Sequence, residues 1–136
     1  MIGDGELKDE CKKLIEQYNM KDLIEIKDFQ KNPYPILKKA KILCMTSEWE
    51  GYGLVAIEAL TLSKPVVATE VGGIPTIVTS DCGVITNDIN NMKNEIKKLL
   101  NDSKYYEEKS INALERAEKL NNIDTYISNL INIYVN

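Results

Sequence analysis

The sequence predicts an α/β fold, a parallel sheet with helices on both faces, and three observations carry that prediction. Short apolar runs of strand length alternate with longer stretches of helical periodicity. The runs at residues 42–46 and 65–69 are unbroken rather than alternating, as expected of strands covered on both faces. Glycine-bearing or polar segments follow the strands, and the carboxyl ends of parallel strands are where open α/β sheets keep their ligands.

Taken in order, Met1-Ile2-Gly3-Asp4-Gly5 reads as the tail of a strand and its glycine turn. Residues 6–18 place Leu7, Cys11, Leu14, Ile15 and Tyr18 at helical spacing, an amphipathic helix with a charged outer face. Leu23-Ile24-Glu25-Ile26 suits a short strand. Asn32-Pro33 signals a helix start, because an Asn side chain caps free amides and Pro is tolerated in the first turn. The helix it opens, through Ile36, Leu37 and Ala40, is short, and the strand Ile42-Leu43-Cys44-Met45-Thr46 follows it.

Residues 54–62 are apolar nearly all round, interrupted only by Glu58 and Thr61, and predict a deeply buried helix. Residues 65–69 and 83–86 supply two further strands. Beyond Asp88 the composition shifts to Asn, Lys and Glu with three apolar stripes: Met92, Ile96, Leu99 and Leu100; Tyr106, Ile111, Leu114 and Ala117; Ile127, Leu130, Ile131 and Tyr134. Ser103 and either Asn122 or Asp124 are candidate caps between these helices. The chain reads as one domain over residues 1–136, with residues 89–136 as structural C-terminal helices whose charged faces are solvated.

Composition narrows the function classes. With 136 residues the chain has the length of one domain. A net charge of -4 and a pI near 5.0 argue against nucleic acid as a partner, since phosphates call for a basic face. No apolar run approaches the roughly 20 residues of a spanning helix, and the N-terminus lacks a signal-peptide layout, so the expected location is cytoplasmic. Cys11, Cys44 and Cys82 lie far apart, which suits reduced, buried thiols. The chain has no histidine, which removes imidazole acid/base chemistry and its commonest transition-metal ligand.

The chain is organised around residues 47–73. Gly3-Asp4-Gly5, residues 46–53 and residues 69–73 each follow a predicted strand and would share one edge of the sheet. Gly51 and Gly53 keep side chains away from a close ligand, and a helix opening near Gly53 turns its free amides and positive dipole end toward a phosphate or a row of hydroxyls. Glu50 and Glu58 are up to about 12 Å apart and turned by roughly 80° on a helical path, too far for one acid/base pair but suited to two ends of an elongated ligand. Glu58 stands on an otherwise apolar helix and needs donors, whether a ligand's hydroxyls or a lysine or amide of the protein. Gly72-Gly73-Ile74-Pro75 either builds a tight turn or offers further amides, and Trp49 and Tyr52 either stack on a sugar or pack.

These residues resemble the donor-binding half of GT-B glycosyltransferases, in particular the retaining family 4 that uses nucleotide sugars. The resemblance runs from Gly3 to about Asp88. It is carried by Ser47, Glu50-Gly51-Tyr52-Gly53-Leu54-Val55, Glu58-Ala59, Pro65-Val66-Val67-Ala68-Thr69 and Gly72-Gly73-Ile74-Pro75. It implies a Rossmann-like sheet, the C-terminal half of a GT-B fold, lacking here its first strand and the cationic residues that strand carries. It implies a glycosyltransferase of polysaccharide biosynthesis that moves a hexosyl unit from a nucleotide diphosphate sugar to a glycan or lipid acceptor with retention.

In that resemblance Glu50 is the catalytic-site carboxylate and, with amides of Gly51, Tyr52, Gly53 and Leu54, holds hydroxyls of the transferred sugar. Glu58 takes the ribose hydroxyls, Gly72 and Gly73 complete the donor site, and the base lies near Ile26-Lys27-Asp28. No metal or cofactor is expected. The acceptor would come through an N-terminal domain or partner chain absent from these residues, and the full enzyme could associate peripherally with a membrane. Thr76 stands where the family usually carries a glutamate, and Ser63-Lys64 where a glycine is common. Two other readings stay open: a non-catalytic nucleotide-sugar-binding module needing a partner chain, and another GT-B activity such as an epimerase or a sugar-phosphate-using transferase.

Overall fold

The structure, a computed structural model, describes residues 1–135, with the side chains of Asn129, Tyr134 and Val135 outside the description. It divides into two compact units, Met1–Ile36 and the residues from Leu37 onward. The first holds α1 (Lys8–Gln17) and a single parallel bridge between Ile2 and Lys27. Gly3 N–H donates to the Lys27 carbonyl at 3.0 Å and Lys27 N–H to the Met1 carbonyl at 2.9 Å. The expected strand at residues 23–26 is thus only a bridge at Lys27: no longer ladder forms opposite it, and residues 21–23 are a turn. The Leu7, Leu14 and Tyr18 stripe of the first helix is 68%, 45% and 65% exposed. Lys8 bonds both Asp4 and Asp28, which draws the Asp28 carboxyl below its ordinary value.

Asn32 behaves as expected, its Oδ1 accepting from Tyr34 N–H at 3.2 Å at the head of α2 (Tyr34–Lys39). The second unit is then built from β1 (Leu43–Met45), α3 (Leu54–Thr61), β2 (Val66–Ala68), α4 (Ile74–Ile77), β3 (Gly83–Ile85), α5 (Ile89–Asn101), α6 (Ser103–Leu120) and α7 (Ile123–Val135). The strands form a parallel sheet in the order β1-β2-β3, with Leu43 opposite Val66 and Val66 opposite Gly83.

Side-chain alternation along β2 divides the core into two layers. Val66 and Ala68 join Ala56, Ala59 and Leu60 of α3, Ile74 and Ile77 of α4, and Ala113 and Ala117 of α6. Val67 joins Met92 and Leu99 of α5 on the opposite face. Helices therefore cover both faces, and β2 is buried throughout, as its unbroken apolar run predicts. Alanines on α3 and α6 let these two helices approach closely.

The structure corrects several local expectations. β1 is an edge strand, so Cys44 is exposed rather than buried, while Cys82 is fully buried and Cys11 half-buried. Asp102, not Ser103, caps α6, accepting from Tyr105 N–H at 3.0 Å. Of the two candidates for α7, Asn122 is the cap, accepting from Thr125 N–H at 3.0 Å. Leu100, Ile111 and Leu114 are exposed although their stripes predicted burial, because the faces of α5 and α6 that meet the core carry Met92, Leu99, Ala113 and Ala117. Ile127 and Ile131 are also exposed, and Tyr134 lies outside the described side chains. Among the described residues no helix is long and apolar enough to cross a membrane.

Candidate functional site

The strand order brings three loops to the carboxyl edge of the sheet, at residues 46–53, 69–73 and 86–88. Backbone bonds join them. Thr69 N–H donates to the Met45 carbonyl at 3.0 Å, Thr86 N–H to the Ala68 carbonyl at 2.9 Å, and Gly73 N–H to the Gly51 carbonyl at 2.9 Å. Side chains add to the seam: Thr69 Oγ1 donates to the Ser47 carbonyl at 2.6 Å, and Asn87 Oδ1 accepts from Glu70 N–H at 2.9 Å. The Gly3-Asp4-Gly5 loop follows the isolated bridge of the first unit, and the Ile26-Lys27-Asp28 turn belongs to that unit too. The third loop is 86–88, signalled in the sequence by the polar run Thr86-Asn87-Asp88 after the last strand.

The Gly51/Gly53 turn and the Gly72-Gly73 turn lie directly against each other. At Gly72, with φ +51°, an added Cβ would fall 1.6 Å from the Glu50 carbonyl oxygen. At Gly53, with φ +88°, it would meet Ile74 Cδ1 at 2.5 Å. Both positions need glycine for conformation, and Gly72, which meets backbone, needs it for space as well. The tight-turn reading of Gly72-Gly73 is therefore correct as far as it goes, and the turn it builds abuts the backbone of residues 50–52. Gly51 is exposed and needs glycine for no contact within the protein, its nearest neighbour for an added Cβ being Trp49 at 4.0 Å.

Helix α3 starts at this junction. Gly53 occupies its N-cap in the left-handed region and offers no side-chain cap, and the amides of Leu54 and Val55 donate to no described acceptor. The helix is not buried throughout, as its composition predicted. Leu54 in its first turn is 66% exposed, and only Ala56, Ala59 and Leu60 are buried. Trp49, at 82% exposure, and Tyr52 stand beside it, so neither aromatic is a packing residue.

The carboxylates are the most informative groups. Of the acidic residues, only Glu50, Glu58 and Glu95 are withdrawn from full exposure. Glu95 accepts from Tyr105 Oη at 2.9 Å, and burial together with this carboxylate pushes the Tyr105 phenol up to about 12. Glu50 and Glu58 have neither a hydrogen bond nor an ion pair to their side chains among the described residues. Among the described residues no lysine or amide partners Glu58. Two recesses lie elsewhere, one of about 400 Å³ beside β3 lined by Ser80, Val84, Glu95, Tyr105 and Lys109, and one of about 190 Å³ beside α6 lined by Asp81, Glu115 and Arg116. The carboxylates in those recesses are paired or exposed, so the partly buried, unpaired pair about the start of α3 marks the candidate site better than concavity does.

A parallel sheet with helices on both faces and a glycine-joined loop pair at its carboxyl edge defines an open α/β fold of the Rossmann-like kind. The chain belongs to the glycosyl transferases group 1 family, whose model matches residues 1–116. Over 70 residues, 52% of this chain, it is 39% identical to an uncharacterized glycosyltransferase of Methanocaldococcus jannaschii, of which the match covers 17%. The crystal structure of TarM is similar over 98% of this chain and 28% of that chain, with a TM-score of 0.85 and 28% identity. An S. aureus TarM variant in complex with fondaparinux, alpha-GlcNAc-glycerol and UDP gives a TM-score of 0.81 and 25% identity over the same shares. These solved structures are GT-B glycosyltransferases, and the chain spans less than a third of the length of each of these relatives.

Proposed function

We propose that the chain is the donor-binding part of a retaining glycosyltransferase and holds a nucleotide diphosphate sugar along the carboxyl edge of its sheet, without a metal ion. Glu50 accepts from hydroxyls of the transferred hexosyl unit, with amides of the 51–54 turn beside it. Glu58 accepts from the ribose hydroxyls, and the open N-terminus of α3 faces the diphosphate. The observation that carries this reading is the pair of half-buried carboxylates, Glu50 and Glu58, with no described partner on either side of a helix start whose amides are free. Support also comes from UDP in the TarM complex, a protein similar over nearly the whole chain. Transfer to a glycan or lipid acceptor would require parts beyond these residues.

Titrating UDP and UDP-sugars against the chain by calorimetry tests the division of labour between the two carboxylates. Glu58→Ala should weaken both ligands about tenfold or more, the effect of losing a charged hydrogen-bond acceptor. Glu50→Ala should weaken the UDP-sugar while leaving UDP unchanged. Variants that bind both ligands as the wild type does would sink the assignment.

A second reading, a binding module that acts only with a partner chain, shares the same donor site and differs in turnover. Saturable donor binding with no donor hydrolysis or transfer by the chain alone supports that reading, and turnover by the chain alone excludes it.

A further inference from the structure

Helix α6 grips the connection between α4 and β3 with one face. Lys109 Nζ donates to the Ser80 carbonyl and Asn112 Nδ2 to the Asp81 carbonyl at 3.3 Å. Arg116 Nε donates to the Ile77 carbonyl at 2.9 Å and its Nη2 to the Thr76 carbonyl at 2.5 Å. Spacings of three and four residues put these donors on one side of the helix. The Arg116 bonds hold something the others do not. Thr76 and Ile77 end α4, a single turn whose last carbonyls have no partners within the helix.

The other end of α4 is the candidate site. Gly73 N–H bonds the Gly51 carbonyl, Thr76 Oγ1 donates back to the Gly73 carbonyl at 2.7 Å, and Ile74, 1% exposed, fills the space over Gly53. One helical turn is about 6 Å long, so fixing its end fixes its start.

We infer that Arg116 is a positioning residue for the candidate donor site: by holding the Thr76 and Ile77 carbonyls it sets α4, and with it the Gly72-Gly73 turn, against residues 50–53. The inference rests on reading that junction as the donor site and deepens it. Arg116 acts through α4 and makes no ion pair among the described residues, so its planar fork of donors is free to serve two successive carbonyls. Lysine carries its three donors on one nitrogen, without the fork that spans two carbonyls, and reproduces part of this.

Amide hydrogen exchange by NMR on the full chain tests it, reading Gly73 against Val67 of β2 as an internal standard for global stability. Arg116→Met, which keeps the stem and removes the donors, should raise exchange at Gly73 about tenfold or more relative to Val67, and should weaken UDP-sugar binding. Arg116→Lys should recover part of both. Asn112→Ala, on the same helix face, should leave the Gly73 ratio unchanged.

An unchanged ratio in Arg116→Met, or an equal rise in Asn112→Ala, overturns the inference. Should Arg116→Met fail to fold, Arg116→Lys carries the test, and wild-type exchange at Gly73 in that variant overturns it. Loss of Gly73 protection in Arg116→Met, with UDP bound by no variant and not by the wild type, supports the positioning of the turn and overturns the donor-site reading instead.

Discussion

The φ of +51° at Gly72 and the 1.6 Å between an added Cβ and the Glu50 carbonyl oxygen make this the least replaceable backbone position in the site. Gly72→Ala should cost about 3 kcal/mol or more, as strain and a backbone clash act together. Gly51→Ala should leave stability within about 0.5 kcal/mol, because an added methyl meets no protein atom closer than Trp49 at 4.0 Å. Thermal melts of the two variants check the contrast. A loss of donor affinity in Gly51→Ala would then report ligand approach rather than folding. At this scale the setting of Glu58, a carboxylate on a helix with a buried apolar face, was legible in the sequence. Which of four glycines answer to the protein and which to a ligand was not, because that depends on how two distant turns meet.

Among the elements, capping shows how one residue of offset separates pattern from structure. Asp102→Ala should destabilise α6 by about 1 kcal/mol and Ser103→Ala by much less, measurable by urea unfolding. Both residues are cap formers, and the sequence could not rank them, since the choice depends on which backbone position leaves helical geometry. The strands divide likewise. Residues 65–69 were legible because a central strand writes burial on both faces into consecutive side chains. Residues 42–46 look the same in sequence, yet β1 lies at an edge and exposes Cys44, which neighbours decide rather than composition. The four-residue α4 was read as a loop, being too short to show a period, and with it went any sign that Arg116 matters.

Across the whole molecule, every fully buried apolar side chain lies at residue 37 or later. Exchange should therefore be fast throughout α1 and slowest in β2, a gradient that hydrogen-exchange mass spectrometry resolves. Thiol labelling gives a second readout: Cys44 should react in the native protein, whereas Cys82 should react only on unfolding. The two layers about β2 follow from the alternation of helical and apolar strand-like segments and were predicted. The division into two units was not, because an apolar stripe such as Leu7, Leu14 and Tyr18 has the same spacing whether or not a partner covers it.

The seam that joins the three edge loops is made chiefly of main-chain groups: Thr69 to Met45, Thr86 to Ala68 and Gly73 to Gly51. Such joins are indifferent to the side chains the loops display. Trp49, Tyr52 and Leu54 project from this scaffold into solvent, so exchanging them changes the surface displayed at this edge without shifting the frame that presents it. A fold built this way can vary the surface at this edge by substitutions that folding scarcely registers, and the glycines, not the displayed side chains, set the limit on how far the sequence can drift.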